Sequence, residues 1–149
     1  MNPGSTLGSG GTLTAGLAAT VSFQDGVTLQ TRTAYRREDA RLPWQSFDQF
    51  IGAAALNVEF DPPVAQIPRR WTIAPFVKLI ATRFDQPNPV IDARVRRHDD
   101  EWRVGAQFDA PLTATFGISA LAQYARVSSN LPNYRTDNWS FAVGPTARF

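Results

Sequence analysis

Alternation of apolar and polar residues, repeated in segment after segment, is the feature that most limits how this chain can fold. In Thr12–Gln24, Leu13, Ala15, Leu17, Ala19, Val21 and Phe23 share one side of an extended chain, while Thr12, Thr14, Gly16, Ala18, Thr20, Ser22 and Gln24 share the other. Successive strand residues point to opposite faces, so a period of two means a strand with one oily and one wet face. The end of the chain has the same pattern. Trp139, Phe141, Val143, Pro145, Ala147 and Phe149 alternate with Asn138, Ser140, Ala142, Gly144, Thr146 and Arg148. No apolar run approaches the roughly eighteen residues of a transmembrane helix.

Between these ends the alternation predicts five more strands. Asp25-Gly26 signals a hairpin turn into Val27–Arg37. Gln49–Phe60 fits a strand, with Phe50, Gly52, Ala54, Leu56, Val58 and Phe60 on the apolar side. It also fits a helix, with Phe47, Phe50, Ile51, Ala54, Ala55 and Val58 at three-four spacing. Its neighbours favour the strand. Arg70–Phe84, Glu101–Asp109 and Thr115–Arg126 complete the set, although Pro75 is unwelcome in a central strand. Glu38–Asp48, Asp61–Pro68, Asp85–Asp100 and Val127–Asp137 read as loops, with a short turn at Ala110–Thr113. Residues 1–11, rich in Gly, Ser and Thr, read as a flexible segment before a β-domain over 12–149. The count is about seven strands, or eight if Val90–Arg97 extends as well.

The rings decide between a soluble sandwich and a membrane barrel. Tyr35, Phe50, Phe60, Trp71, Trp102, Phe108, Phe116, Tyr124 and Trp139 fall at the ends of the apolar faces, and small aliphatic residues fill the middles. A sandwich core places large rings centrally, whereas a bilayer collects them at its two interfaces. Eight residues between ring rows, tilted by about 40°, span about 20 Å, close to the apolar band of such a barrel. Connections alternate in length, as when short periplasmic turns pair with longer outside loops. The expected fold is therefore all-β: an antiparallel up-and-down transmembrane β-barrel, or the C-terminal portion of one. Single-chain bacterial barrels use an even number of strands. A seven-strand count then implies either missing upstream strands, which is favoured, or the eighth strand at Val90–Arg97.

Composition narrows the partners. Fifteen Lys and Arg against 13 Asp and Glu leave a net charge of +2, scattered along the chain, so no nucleic-acid partner is expected. There is no cysteine, which removes disulfides and thiolate metal sites. Met1-Asn2-Pro3-Gly4 carries no secretory signal, so the expectation is a mature form or a piece of a longer protein.

The terminal segment resembles the tail of bacterial outer-membrane barrels, in which a final aromatic follows alternating apolar residues and a glycine. Phe141, Gly144 and Phe149 carry the likeness, and Pro145 and Ala147 depart from it. The resemblance implies reading by the barrel-assembly machinery and a place in the outer membrane, against its lipid and lipopolysaccharide. The stretch from Arg97-His98-Asp99-Asp100-Glu101-Trp102 to Ser128-Ser129-Asn130-Leu131-Pro132-Asn133-Tyr134 is also similar to the C-terminal barrel of surface lipoprotein assembly modifiers, which follows tetratricopeptide repeats. That likeness implies export or surface display of a protein or lipoprotein, with no enzymatic activity and no cofactor.

Other readings of the residues stay open. A small closed porin-like barrel and a soluble antiparallel β-sheet binding module both fit the alternation. Arg32, Arg36, Lys78, Arg103 and Arg148 on the polar side outnumber Glu59, Glu101 and Asp109. They would favour anions in a pore, unless they pair across the lumen and plug it, which is the expectation. His98 beside Asp99 and Asp100, or with Ser128 and Ser129, would suit acid-base or nucleophilic work. No Gly-x-Ser-x-Gly elbow surrounds the serines, so a solvated loop is expected.

Overall fold

Each strand of this chain pairs with the one before it and the one after it. The computed structural model describes residues 10–63 and 69–147. Its strands are β1 (Gly11–Gln24), β2 (Val27–Asp39), β3 (Phe47–Phe60), β4 (Trp71–Phe84), β5 (His98–Pro111), β6 (Phe116–Ser129) and β7 (Thr136–Ala147). They form one antiparallel sheet in the order β1-β2-β3-β4-β5-β6-β7. Among the described residues there is no second sheet and no α-helix, only 3-10 turns at Pro43–Gln45 and Pro132–Tyr134. The segment Phe47–Phe60 is a strand, as its neighbours implied. Among the described residues the sheet is open, with one edge of β1 and one of β7 unpaired.

The registers put every apolar set on one face. Directly opposite residues share a face. Leu17 lies opposite Thr33, Leu29 opposite Leu56, Val77 between Ala54 and Val104, and Tyr124 opposite Trp139. A slip of one residue in any ladder would move that strand's apolar set to the other face. At the β1–β2 turn Gly26 has φ 76°, a left-handed conformation that glycine adopts without a Cβ penalty. The turn follows a register shift between Ser22 and Gln24.

No interior forms behind this sheet. The buried apolar residues among those described are Ala34, Ala110 and Leu131, and no large side chain is fully buried. Burial instead alternates against the usual sense. Along β4, Val77 and Leu79 are 42% and 58% exposed, while Lys78 between them is half-buried. Along β4 the polar face is the sheltered one.

Several expectations are corrected here. Val90–Arg97 is not a strand but a run of turns and coil within the β4–β5 connection. Pro89 and the turn bonds that Asn88 O accepts from Ile91 and Asp92 N–H fold it locally, leaving no extended backbone to pair. Strands also run further than the apolar pattern: β2 reaches Asp39, β5 starts at His98 and β6 ends at Ser129. Cross-strand partners of opposite charge, such as Arg37 with Asp48, carry the ladders past the oily band. Gly11 opens β1, while residues 1–9 of the expected flexible segment lie outside the described residues. Pro75 does stand in a central strand. It pairs with Ala106 on one side, and on the other the β3–β4 ladder skips from Ala55–Phe76 to Val58–Ile73. Proline offers no N–H there, so the interruption falls where the donor is missing.

The connections sort to the two ends of the sheet. Residues 40–46, 85–97 and 130–135 lie at one end, and Asp25-Gly26, the described ends of the β3–β4 connection (61–63 and 69–70) and 112–115 at the other. The 61–70 connection makes the second end less uniformly short than the barrel pattern.

Candidate functional site

Because alternate residues share a face, the ring-bearing strand ends meet as two rows. At the end of the short turns, Phe60 packs edge-on to Trp71, with centroids 6.2 Å apart, and Trp71 packs edge-on to Phe108 at 5.6 Å. Phe116 is exposed on the same face. At the opposite end Trp102, Tyr124, Trp139 and Phe141 form a chain of contacts at 5.2, 5.0 and 6.0 Å, the last pair stacked within 4°. Tyr35 and Phe50 are cross-strand partners at that end. Between the rows lie Leu17, Leu29, Ala54, Val77 and Val104. All nine residues expected to form an aromatic girdle thus lie on one face, at its two ends.

Beyond the second row the chain becomes densely charged. Arg37, next but one after Tyr35 on the same face, holds Asp85 of the long connection through both terminal nitrogens, at 2.8 and 2.5 Å. It also meets Asp39 at 2.8 Å and Asp48 at 3.1 Å. Tyr35 O–H donates to the other oxygen of Asp48. The Arg37 guanidinium holds the Asp85 carboxyl below the usual carboxylate range, with burial opposing it. At the far end Asp25 raises the Arg70 guanidinium above its ordinary value through a 2.7 Å ion pair.

The sheltered face has its own cluster at the charged end. The Arg97 guanidinium lies over the rings of Tyr134 at 3.4 Å and Phe84 at 4.7 Å, and pairs with Asp99 at 2.5 Å. Phe84 packs on Phe47, whose ring also carries Arg36 at 5.6 Å. Asp99 is 7% exposed, and its Oδ1 has no hydrogen-bond partner. Arginine stacks well on aromatic faces because its planar charge is weakly hydrated. This stack ties the 130–135 connection to β4 and β3.

Of the charges expected in a lumen, Arg32, Arg36, Lys78 and Arg103 share this face. Arg36 bonds Glu38 at 2.7 Å, and Arg103 bonds Glu101, each pair lying two residues apart on one strand. Lys78 is directly opposite Arg103, and Arg32 opposite Ala53. Neither Arg32 nor Lys78 has an ion-pair partner among the described residues. On this open sheet the ion pairs formed by these residues are therefore local ones along a strand. Neighbours at i and i+2 on a face reach each other more readily than groups separated by the width of the sheet. Alongside Arg32 and Lys78 runs a recess of about 310 Å³ lined also by Gln30, Ala53 and Phe76.

Other sequence candidates separate. His98 is exposed, and its backbone N–H donates to Asn130 Oδ1 at 2.9 Å. Ser129 is buried, and its Oγ accepts from Leu131 N–H at 3.2 Å, so it serves the turn. Ser128 faces Asp100 across the β5–β6 ladder. No group of three or more metal-ligating side chains occurs among the described residues. Phe141 is 72% exposed on the apolar face of β7, and Gly144 lies on the opposite face. Phe149 and Arg148 lie outside the described residues.

Sequence reading missed Arg37, Asp85 and the Arg97–Tyr134 stack. Their only signal was the recurrence of Leu-Pro in two loops, at Leu42-Pro43 and Leu131-Pro132, each followed by a 3-10 turn. Comparison of the chain with protein-family models, curated proteins and solved structures returns no match.

Proposed function

We propose that this chain forms the wall of a non-enzymatic outer-membrane β-barrel, with its apolar face in lipid and its sheltered polar face toward a lumen. One observation carries the reading: Lys78 is sheltered while Val77 and Leu79, on either side of it, are exposed. In water that order is costly, because each large aliphatic side chain left exposed forgoes about 1.5–3 kcal/mol of burial. In hydrocarbon it is the favourable one. The two ring rows support the same reading, since Trp and Tyr suit the headgroup level. The charged end would then meet the outer surface, where arginines suit lipopolysaccharide phosphates. Transport, export or surface display, in the manner of surface lipoprotein assembly modifiers, is the activity class this reading favours, with the barrel-assembly machinery as its insertion partner.

The experiment is refolding of the purified chain from urea, with and without vesicles of zwitterionic lipid. The expected result is folding, by circular dichroism and protease resistance, only when vesicles or detergent are present. A folded monomer in plain buffer would overturn the reading in favour of a soluble binding module.

A further inference from the structure

We infer that one further strand, with the chemistry of β4, lies between β7 and β1 and completes the sheet as a closed eight-stranded wall. The inference deepens the barrel reading above and rests on it for its lipid setting, but its argument comes from an internal repeat.

Residues 11–60 and 100–149 align without insertion at a constant offset of 89 positions. Identities are few and well placed: Gly16 with Gly105, Tyr35 with Tyr124, Arg37 with Arg126, Leu42-Pro43 with Leu131-Pro132, Asp48 with Asp137, Ala53 with Ala142 and Phe60 with Phe149. The geometry repeats with the sequence. Gly11 opposite Asp39 corresponds to Asp100 opposite Ser128, and Arg37 opposite Asp48 to Arg126 opposite Asp137. The 3-10 turns are entered from Leu42 at φ −98°, ψ 118° and from Leu131 at φ −99°, ψ 117°. A Cβ on Gly16 would stand 2.7 Å from Thr33 O, and one on Gly105 2.5 Å from Ala122 O, positions again one offset apart. Thus β1–β2–β3 and β5–β6–β7 are two copies of one three-strand unit, and β4 joins them.

β4 runs antiparallel between β3 and β5. The corresponding place is between β7 and β1, where both free edges lie. With seven alternating strands, β1 and β7 run in the same direction. Direct closure would need a parallel ladder, which consecutive antiparallel strands do not supply. A second copy fails for the same reason: with both copies inserted the same way up, β7 of one meets β1 of the other in parallel. One strand of opposite direction satisfies both edges.

The stagger also closes. Stepping across the six ladders from Ala19 leads through Val77 to Trp139. Under the repeat, Trp139 faces the Ala81 position of the added strand, because Phe50 faces Ala81, and that position returns to Gly11, because Ala81 faces Asp100. The walk re-enters β1 about eight residues from its start. A shear of about eight over eight strands, with about 3.3 Å per residue and about 4.8 Å between strands, tilts the strands by about 35°, within the usual barrel range. The occupant is therefore an amphipathic strand of 14 residues patterned like Trp71–Phe84: apolar at alternate positions toward lipid, with a cation near the middle of its other face.

The absence of native cysteine makes the test clean. The full chain carrying Val143→Cys or Ala15→Cys is refolded in detergent with a synthetic peptide of sequence 71–84 bearing Val77→Cys. The repeat places peptide position 77 opposite both residues. Oxidation is expected to give a peptide adduct at each site, about tenfold above the opposite-face controls Ala142→Cys and Thr14→Cys. Equal yields at target and control sites would overturn the inference. So would a peptide-independent disulfide in the Ala15→Cys/Val143→Cys double variant, within one chain or between two. A second arm appends a copy of 61–84 behind Phe149, with cysteine at the position copied from Val77. This chain is expected to form the same link to Ala15→Cys internally and to migrate as a compact, heat-modifiable band. If it inserts in vesicles without that link, the eighth strand is wrong and the membrane reading stands. If neither chain enters vesicles, the membrane reading falls first.

Discussion

At the scale of single residues, two glycines of the sheet separate packing from recognition. A Cβ at Gly105 would stand 2.5 Å from Ala122 O and 2.7 Å from the Phe76 ring, whereas one at Gly144 meets nothing within 4 Å. Gly105→Val should destabilise the fold by about 1–3 kcal/mol, as overpacking does. Gly144→Ala should be nearly neutral in urea unfolding of the refolded protein. If Gly144→Ala nonetheless lowers insertion in cells, the glycine serves the assembly machinery and not the fold. Arg37 gives a second residue-level expectation. The Asp85 carboxyl has a depressed pKa in the folded chain because of Arg37. Its contribution is therefore fully present above the ordinary aspartate value of about 4 and is lost as pH falls through the lower folded value. Protection from hydrogen exchange in residues 85–97, taken relative to the intrinsic rate at each pH, should hold down to about pH 5 and fall below about pH 4. An Asp85→Asn variant should exchange faster at neutral pH and lose most of that dependence.

At the scale of the element, β4 is the most informative strand, because adjacent residues have opposite surroundings. Val77→Arg places a charge at the middle of the apolar face and should cost about 2–4 kcal/mol in lipid vesicles. Lys78→Gln, one residue along, should change stability by under about 0.5 kcal/mol. Urea titrations in vesicles compare the two, and equal, small effects would mean that hydrocarbon does not touch that face. The alternation that places these residues was plain in the sequence. The ends of the elements were not. Glu38 and Asp39 read as the start of a loop, yet β2 continues through them, where Glu38 pairs with Arg36 and Asp39 with Arg37, itself held to β3 and the long connection. Conversely, Val90–Arg97 contains a ribbon-like spacing but forms turns, because no strand lies beside it to pair with.

At the scale of the whole molecule, the two ring rows are expected to set its depth and orientation in a bilayer. Trp71 stands in one row, Trp102 and Trp139 in the other, and Trp44 in a connection beyond them. In single-tryptophan variants, lipids brominated near the headgroups should quench the three row tryptophans more than lipids brominated at the chain ends. Trp44 should be quenched weakly by both. Uniform quenching of all four would argue against two interfacial rows.

The sequence by itself determined the seven alternating segments, their meander order and the face to which each side chain belongs, because a period of two survives any register that buries or exposes one face consistently; whether Val90–Arg97 added an eighth strand was decided only by the structure. It also held the internal repeat, although so few identities become visible only when strand partners are matched. Tertiary structure decided how far the ladders run, which carboxylates gather at Arg37 and which rings sandwich Arg97. Those contacts join residues far apart in the chain, through charge and shape that carry no periodic signature. Tertiary structure also decided that Lys78 is the sheltered neighbour and Val77 the exposed one. Alternation names two faces, and the packing of side chains on the assembled sheet decides which neighbour is sheltered.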